Sequence, residues 1–203
     1  MKVLLINGSP NVHGCTDKAL QIVGKSLAEN GAEYEIFHIG NKPVQGCIGC
    51  RSCKQTGICV FQDEVYTALR EKIKDADGII IGTPVYYSGV CGQLCTILDR
   101  IFYSCGEYLK GKPVSSVISC RVRGGSAAFE RLSLYYACNQ MIIVPSQYWN
   151  IVRATVPEDV EKDVDGCSVL KVLGRNMAWM LKSLEKAENP FPMEGEFRYQ
   201  PAK

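Results

Sequence analysis

Two kinds of apolar spacing alternate along the chain. Val3 to Ile6 is a short, continuously apolar run ending in Gly8-Ser9-Pro10, which predicts a strand running into a turn. Ala19, Leu20, Val23, Leu27 and Ala28 follow at helical spacing until Asn30-Gly31 stops them. Tyr34, Ile36 and His38 alternate as a second strand, and Val65, Leu69 and Ile73 mark a second helix. Gly78-Ile79-Ile80-Ile81-Gly82 is a third strand too apolar to have a wet face. Leu94, Ile97, Leu98, Ile101 and Phe102 make a third helix. Val114, Val117 and Ile118 form a fourth strand, a helix covers roughly 126–139, and Met141 to Val144 is a fifth strand. Leu170, Leu173, Met177, Met180, Leu181 and Leu184 define a last long helix closed by Asn189-Pro190.

Strands apolar on both sides and alternating with helices imply a parallel sheet covered on both faces. Five such strands suit a doubly wound, flavodoxin-like sheet of order 2-1-3-4-5 in a three-layer α/β/α domain. The expected domain is 1–188, with an irregular cysteine-rich loop at 46–60. Residues 189–203 contain three prolines and no periodicity, and read as an extended tail able to lie on a partner. In such sheets ligands sit beyond the carboxyl ends of the strands near the switch point. That rule selects loops 8–16, 83–90 and 119–126.

Composition narrows the classes. The 203 residues are 46% hydrophobic and 22% charged with net charge +2, ordinary globular values that exclude whole-chain disorder. No charge block is present, so neither nucleic acid nor an anionic membrane is the expected main partner. The first apolar run is shorter than a secretory signal needs, and no run is long enough for a spanning helix, so a cytoplasmic location is expected. The eleven cysteines are then the anomaly, because cytosolic thiols stay reduced and disulfides explain them poorly.

Ser9, Pro10, His13, Cys15 and Thr16 lie in the first loop, where a helix N-terminus offers free N–H groups and hydroxyls to a phosphate. The loop matches neither common nucleotide fingerprint, and it suits a terminal monoester phosphate such as that of FMN. A capped βα turn with Thr16 as N-cap explains the same residues. In the second loop, Pro84, Val85, Tyr86, Tyr87, Ser88 and Gly89 offer an aromatic wall and a close backbone approach to a flavin ring. Arg121, Gly124 and Gly125 in the third offer charge and a second close approach, or simply a solvated surface.

Gly8-Ser9-Pro10 with Thr16, Pro84-Val85-Tyr86 followed by Leu98-Asp99-Arg100, and Gly124-Gly125 together resemble the NADPH-dependent FMN reductase family. The resemblance covers roughly residues 1–185. It implies non-covalent FMN with its phosphate at Ser9 to Thr16, its ring beside Pro84 to Gly89 and a third edge at 119–125. It also implies NAD(P)H as co-substrate and a homodimer or homotetramer with flavins near subunit interfaces. Cys15 departs from the Asn or Ser of many relatives, and a thiol is a weak donor.

Cys47, Cys50, Cys53 and Cys59 read C-x2-C-x2-C-x5-C. Tight cysteine triplets with a fourth ligand nearby wrap a [4Fe–4S] cube; zinc or free thiols are the alternatives. Beside the flavin loops, this segment is similar to that of the iron–sulfur flavoproteins. Cys91, Cys95, Cys105, Cys120, Cys138 and Cys167 show no ligand spacing apart from Cys91-x3-Cys95 on one helix, and read as small buried residues. His13 reads as a surface or phosphate residue, His38 as a satisfied edge residue, and Trp149 and Trp179 as core or interface. No catalytic side chain is assigned, since the chemistry would lie on FMN. The expected function is FMN-dependent NAD(P)H oxidoreduction with a flavin, quinone, azo or nitro acceptor. The alternative is an iron–sulfur flavoprotein electron carrier exchanging electrons with ferredoxin through the cluster. A zinc-bearing interaction module is the distant third.

Overall fold

An inner strand of the sheet, β1 (Lys2–Asn7), is parallel to the edge strand β2 (Glu33–His38) on one side and to the central strand β3 (Gly78–Tyr86) on the other. This computed structural model describes residues 1–188 and 191–192. β5 (Pro113–Cys120) continues the sheet beyond β3, and β4 (Gly89–Val90) folds back on β3 as a hairpin. The strand order is β2-β1-β3-β5 with a final strand on β5, which is the flavodoxin-like order expected. Along β1, Leu4 and Ile6 face one core while Val3 and Leu5 face the other, so a single apolar run serves both faces.

The fifth strand differs from expectation. It is split into β6 (Ile142–Ile143), paired with Pro113-Val114, and β7 (Ile151–Arg153), paired with Ile118 to Cys120. Pro145 cannot donate to the ladder, and the chain leaves the sheet there. Ser115 and Asn150 bridge the gap: Ser115 Oγ donates to Val144 O at 2.8 Å and accepts from Asn150 Nδ2 at 3.0 Å. The excursion exposes Trp149 (53%), and Trp179 is exposed on the last helix (65%), so of the two expected placements, core or interface, the core is not theirs.

α1 (Cys15–Glu29) and α7 (Val164–Glu185) cover one face. α3 (Glu64–Asp75), α4 (Gly92–Ser104) and α6 (Gly125–Cys138) cover the other, with the single turns α2 (Cys53–Thr56) and α5 (Gly106–Leu109) at its rim. α7 starts earlier than its apolar spacing suggested, because Asp163 caps it: Oδ1 accepts from Gly166 N at 3.1 Å and Oδ2 from Arg153 N at 2.7 Å. Asp163→Ala leaves both amides without that acceptor, and should cost about 1–2 kcal/mol in urea unfolding. Cys91, Cys105 and Cys120 are buried as expected, whereas Cys95 and Cys167 are only half-buried and Cys138 is exposed at the end of α6. The tail expected at 189–203 lies outside the described residues except for 191–192, where the Phe191 ring rests against Gly111.

Candidate functional site

The sheet register brings the three loops to one edge. Asn7 pairs with Gly82, and Pro84 pairs with Ser119, so the chain leaves β1, β3 and β5 side by side. Asn7 is fully buried at the end of its apolar strand and shapes the first loop. Its Oδ1 accepts from Ser9 N at 3.0 Å and its Nδ2 donates to Val12 O at 3.4 Å. His38 Nε2 meets Ser9 O at 2.7 Å, which ties β2 to the same loop. Ser9 Oγ accepts from Asn11 N at 3.1 Å and retains its own proton for a ligand.

α1, like α4 and α6, opens without the capping aspartate that begins α3 and α7. Its N-cap is Gly14, not Thr16, and no side chain caps it. Among the described residues no protein acceptor meets the N–H groups of Val12, His13, Cys15, Thr16 or Asp17. Thr16 instead turns inward, its hydroxyl 2.7 Å from Ser119 Oγ. One bond uses one of that pair's two protons, so the other remains available. Burial pushes the Cys15 thiol up, keeping it neutral beside the helix terminus. Pro10 is half-buried, and His13 is exposed, 3.8 Å from Asp17.

The second loop is a two-residue hairpin with Tyr86 opposite Gly89. Tyr87 and Ser88 both have positive φ, 50° and 62°. That turn favours Asn-Gly, and a tyrosine held there is strained by about 1–3 kcal/mol. The strain leaves Tyr87 fully exposed and Tyr86 half-exposed, while Pro84 and Val85 are half-buried beneath them. The third loop closes on the hairpin: a Cβ at Gly124 (φ 87°) would stand 2.7 Å from Ser88 Oγ. A Cβ at Gly125 would crowd Ile151 at 2.9 Å, and Arg121 is exposed.

The cysteine segment leaves the sheet after β2 and runs along α4. Gln93 Nε2 donates to Gly40 O at 3.1 Å and Lys42 O at 2.9 Å. Left-handed backbone at Gly49, Arg51 and Gly57 then turns the chain around a cavity lined by Cys47, Cys50, Cys53 and Cys59. Among the described residues no three potential ligands stand close enough to hold a single metal ion. A tetrahedral zinc would need thiolates about 3.8 Å apart, given Zn–S near 2.3 Å. Four cysteines lining one small cavity are the donor set that a four-iron group takes. The Ser52 N–H and hydroxyl hold the Cys50 thiol below its ordinary value, and burial together with the neighbouring Cys59 pushes Cys53 up. The Cys59 N–H donates to Tyr66 Oη at 3.0 Å.

The sequence profile of the NADPH-dependent FMN reductase family matches residues 1–156. The chain belongs to this family. An FMN-dependent oxidoreductase using NAD(P)H is the activity class that membership gives it. An iron–sulfur flavoprotein of Methanocaldococcus jannaschii is 32% identical, over 92% of this chain and 100% of that protein. An FMN-dependent NADPH-azoreductase of Staphylococcus aureus is 29% identical over 82% of each chain. In fold, the chain is similar to the flavoenzyme NAD(P)H:acceptor oxidoreductase of Paracoccus denitrificans (TM-score 0.66, 19% identity, 90% of this chain and 97% of that one). For this FMN reductase family member the loop residues Asn7 and Ser119 were missed from sequence. A polar residue ending an otherwise apolar strand is the signal that would have found them. Among the described residues no helix is long and apolar enough to cross a membrane.

Proposed function

We propose that this chain binds FMN across its three loops and a [4Fe–4S] cluster in the cysteine segment, taking electrons from NAD(P)H to a small-molecule acceptor. The observation that carries the flavin assignment is the uncapped start of α1, whose N–H groups lack protein acceptors among the described residues, beside Ser9 and the Thr16–Ser119 pair. Those groups, with the positive end of the helix, would hold the phosphate. Pro84 to Gly89 would flank the ring, with Tyr86 and Tyr87 limiting water on its open side. Gly124 lets the third loop approach where any side chain would collide with Ser88. FMN, when bound, supplies the exchange between two-electron and one-electron chemistry, and the protein's task is to orient it.

Cys47, Cys50, Cys53 and Cys59 would hold the cluster, which when bound supplies single-electron transfer. Their convergence on one cavity favours the second reading, an electron carrier of the iron–sulfur flavoprotein kind with ferredoxin as its one-electron partner. α4 connects the two sites. It begins directly after the flavin hairpin, and Arg100, which lines the cysteine cavity, stands about 12 Å further along its axis. A homodimer or homotetramer is part of the same proposal.

Anaerobic purification with flavin, iron, sulfide and zinc analysis tests both readings. One FMN with four irons and four sulfides per chain is expected. A colourless protein would overturn both. Flavin bands with no iron would retain the oxidoreductase and remove the cluster, and one zinc per chain would replace it.

A further inference from the structure

Arg100 is fully buried, at 1% exposure, near the end of α4. A guanidinium taken out of water needs partners on every side. Nη1 donates to Gln45 O at 3.1 Å and meets Asp63 Oδ2 at 2.6 Å, and Nη2 donates to Phe61 O. The Tyr66 and Phe61 rings lie 4.8 and 5.9 Å from the guanidinium carbon. Gln45 and Phe61 bracket the cysteine segment, so one planar fork holds both of its ends. Arg100 also lines the cavity that the four cysteines line. Its Nε has no hydrogen-bond partner among the described residues. The residue thus has a use that its structural bonds do not exhaust.

We propose that Arg100 is a positioning residue of the cysteine site: it clasps the two ends of the loop and places a buried positive charge beside the cluster, raising its reduction potential. The proposal rests on the cluster reading above. One-electron reduction adds negative charge to a centre already ligated by four thiolates, and an adjacent cation stabilises the reduced form more than the oxidised one. Salt screens this little, because the guanidinium is shielded from solvent. Asp63 opposes it directly, through a buried Oδ2 2.6 Å from Nη1, while the rest of that carboxylate reaches solvent, so the two charges act on the cavity with opposite signs.

The test is a spectroelectrochemical and EPR redox titration of the anaerobic holoprotein and three variants. Arg100→Met should lower the cluster midpoint by about a tenfold change in the one-electron equilibrium, about 59 mV. Asp63→Asn should raise it, since Asn keeps the N-cap that Asp63 gives Tyr66 N and removes only the charge. Arg100→Lys should keep the midpoint near wild type while speeding iron loss, because an ammonium retains the charge without the fork. Opposite shifts for Arg100→Met and Asp63→Asn are the required result. A purely structural residue would change iron content in both variants and move neither midpoint, and shifts of the same sign would overturn the charge role. Should Arg100→Met fail to retain FMN, the sign of the Asp63→Asn shift alone decides. A wild-type protein lacking iron refutes the cluster reading before any variant is made. In that case the clasp is read separately, as faster labelling of the 47–59 thiols by a disulfide reagent in Arg100→Lys than in wild type, with equal rates overturning it.

Discussion

Serine in place of Cys59 should give a protein that folds, keeps FMN and holds no iron. Cys59 sits where the loop rejoins the domain, packed at the edge of the core formed with α3 and α4. Its amide donates to Tyr66 Oη, which is itself 2.8 Å from Ser104 Oγ, so the backbone is held whatever the side chain. Exchanging one sulfur for oxygen changes the volume little and removes no hydrogen bond that this network needs. It does remove a soft thiolate, and a neutral hydroxyl is a poor ligand for a cluster. Losing even an outer-sphere partner of a metal ligand costs about 10–100-fold in affinity, so losing a ligand should cost at least about 100-fold. Iron and sulfide per chain would then fall close to zero after gel filtration, with the flavin spectrum intact. Cys138→Ser is the control, since Cys138 is an exposed thiol on α6 outside the cysteine cavity. It should leave iron unchanged. Equal iron in wild type and Cys59→Ser would remove Cys59 from the ligand set.

The fold was legible because its strands are buried on both faces. Val3 to Ile6 and Ile79 to Ile81 can only be central strands, and α1 carries one apolar stripe between clear stops. The fifth strand was misjudged because Met141 to Val144 has the right composition but only two residues pair. The rest of that strand lies beyond Pro145, where no pattern announces a return to the sheet. Three ligand loops followed from topology alone, since the rule about carboxyl ends needs only strand order. What shapes them did not. His38 and Ser119 act through bonds to residues far away in sequence, at separations a periodicity argument does not reach, while Asn7 acts locally, on Ser9 and Val12, through a side chain whose polarity the apolar pattern does not register. Thr16 as N-cap was a local guess, and the register that sets Thr16 against Ser119 overrode it. The cysteine segment was readable as spacing. Arg100 stood out only through the family resemblance, with a structural or a cofactor role equally open, and no spacing showed that its buried guanidinium closes this segment.

Gly14→Asp should weaken FMN binding by at least about 100-fold, about 2.7 kcal/mol, while leaving the flavin-free protein folded. The reasoning starts from the cap. α3 and α7 each begin at an aspartate that accepts an amide proton, whereas α1 begins at Gly14 with no side-chain acceptor. Gly14 has φ −82° and ψ −173°, an extended conformation open to any residue. An introduced carboxylate would therefore cap α1 and gain about 1 kcal/mol in the flavin-free state. Part of that gain is offset, because the new Cβ stands 3.1 Å from Asn11 Cβ. In the flavin-bound state the same carboxylate takes the N–H groups assigned to the phosphate and repels it. At about 4 Å and an effective dielectric of 20, one pair of like charges costs about 4 kcal/mol. Gly14→Ala carries the same Cβ without the charge, and should bind within about tenfold of wild type. The pH dependence has a definite sign. A phosphate monoester loses its second proton near pH 6, so the penalty in Gly14→Asp should be larger at pH 8 than at pH 5. Fluorescence titration of FMN into the flavin-free variants measures all three quantities. Equal affinity in Gly14→Asp and wild type would move the phosphate away from α1, and with it the flavin from this edge of the sheet.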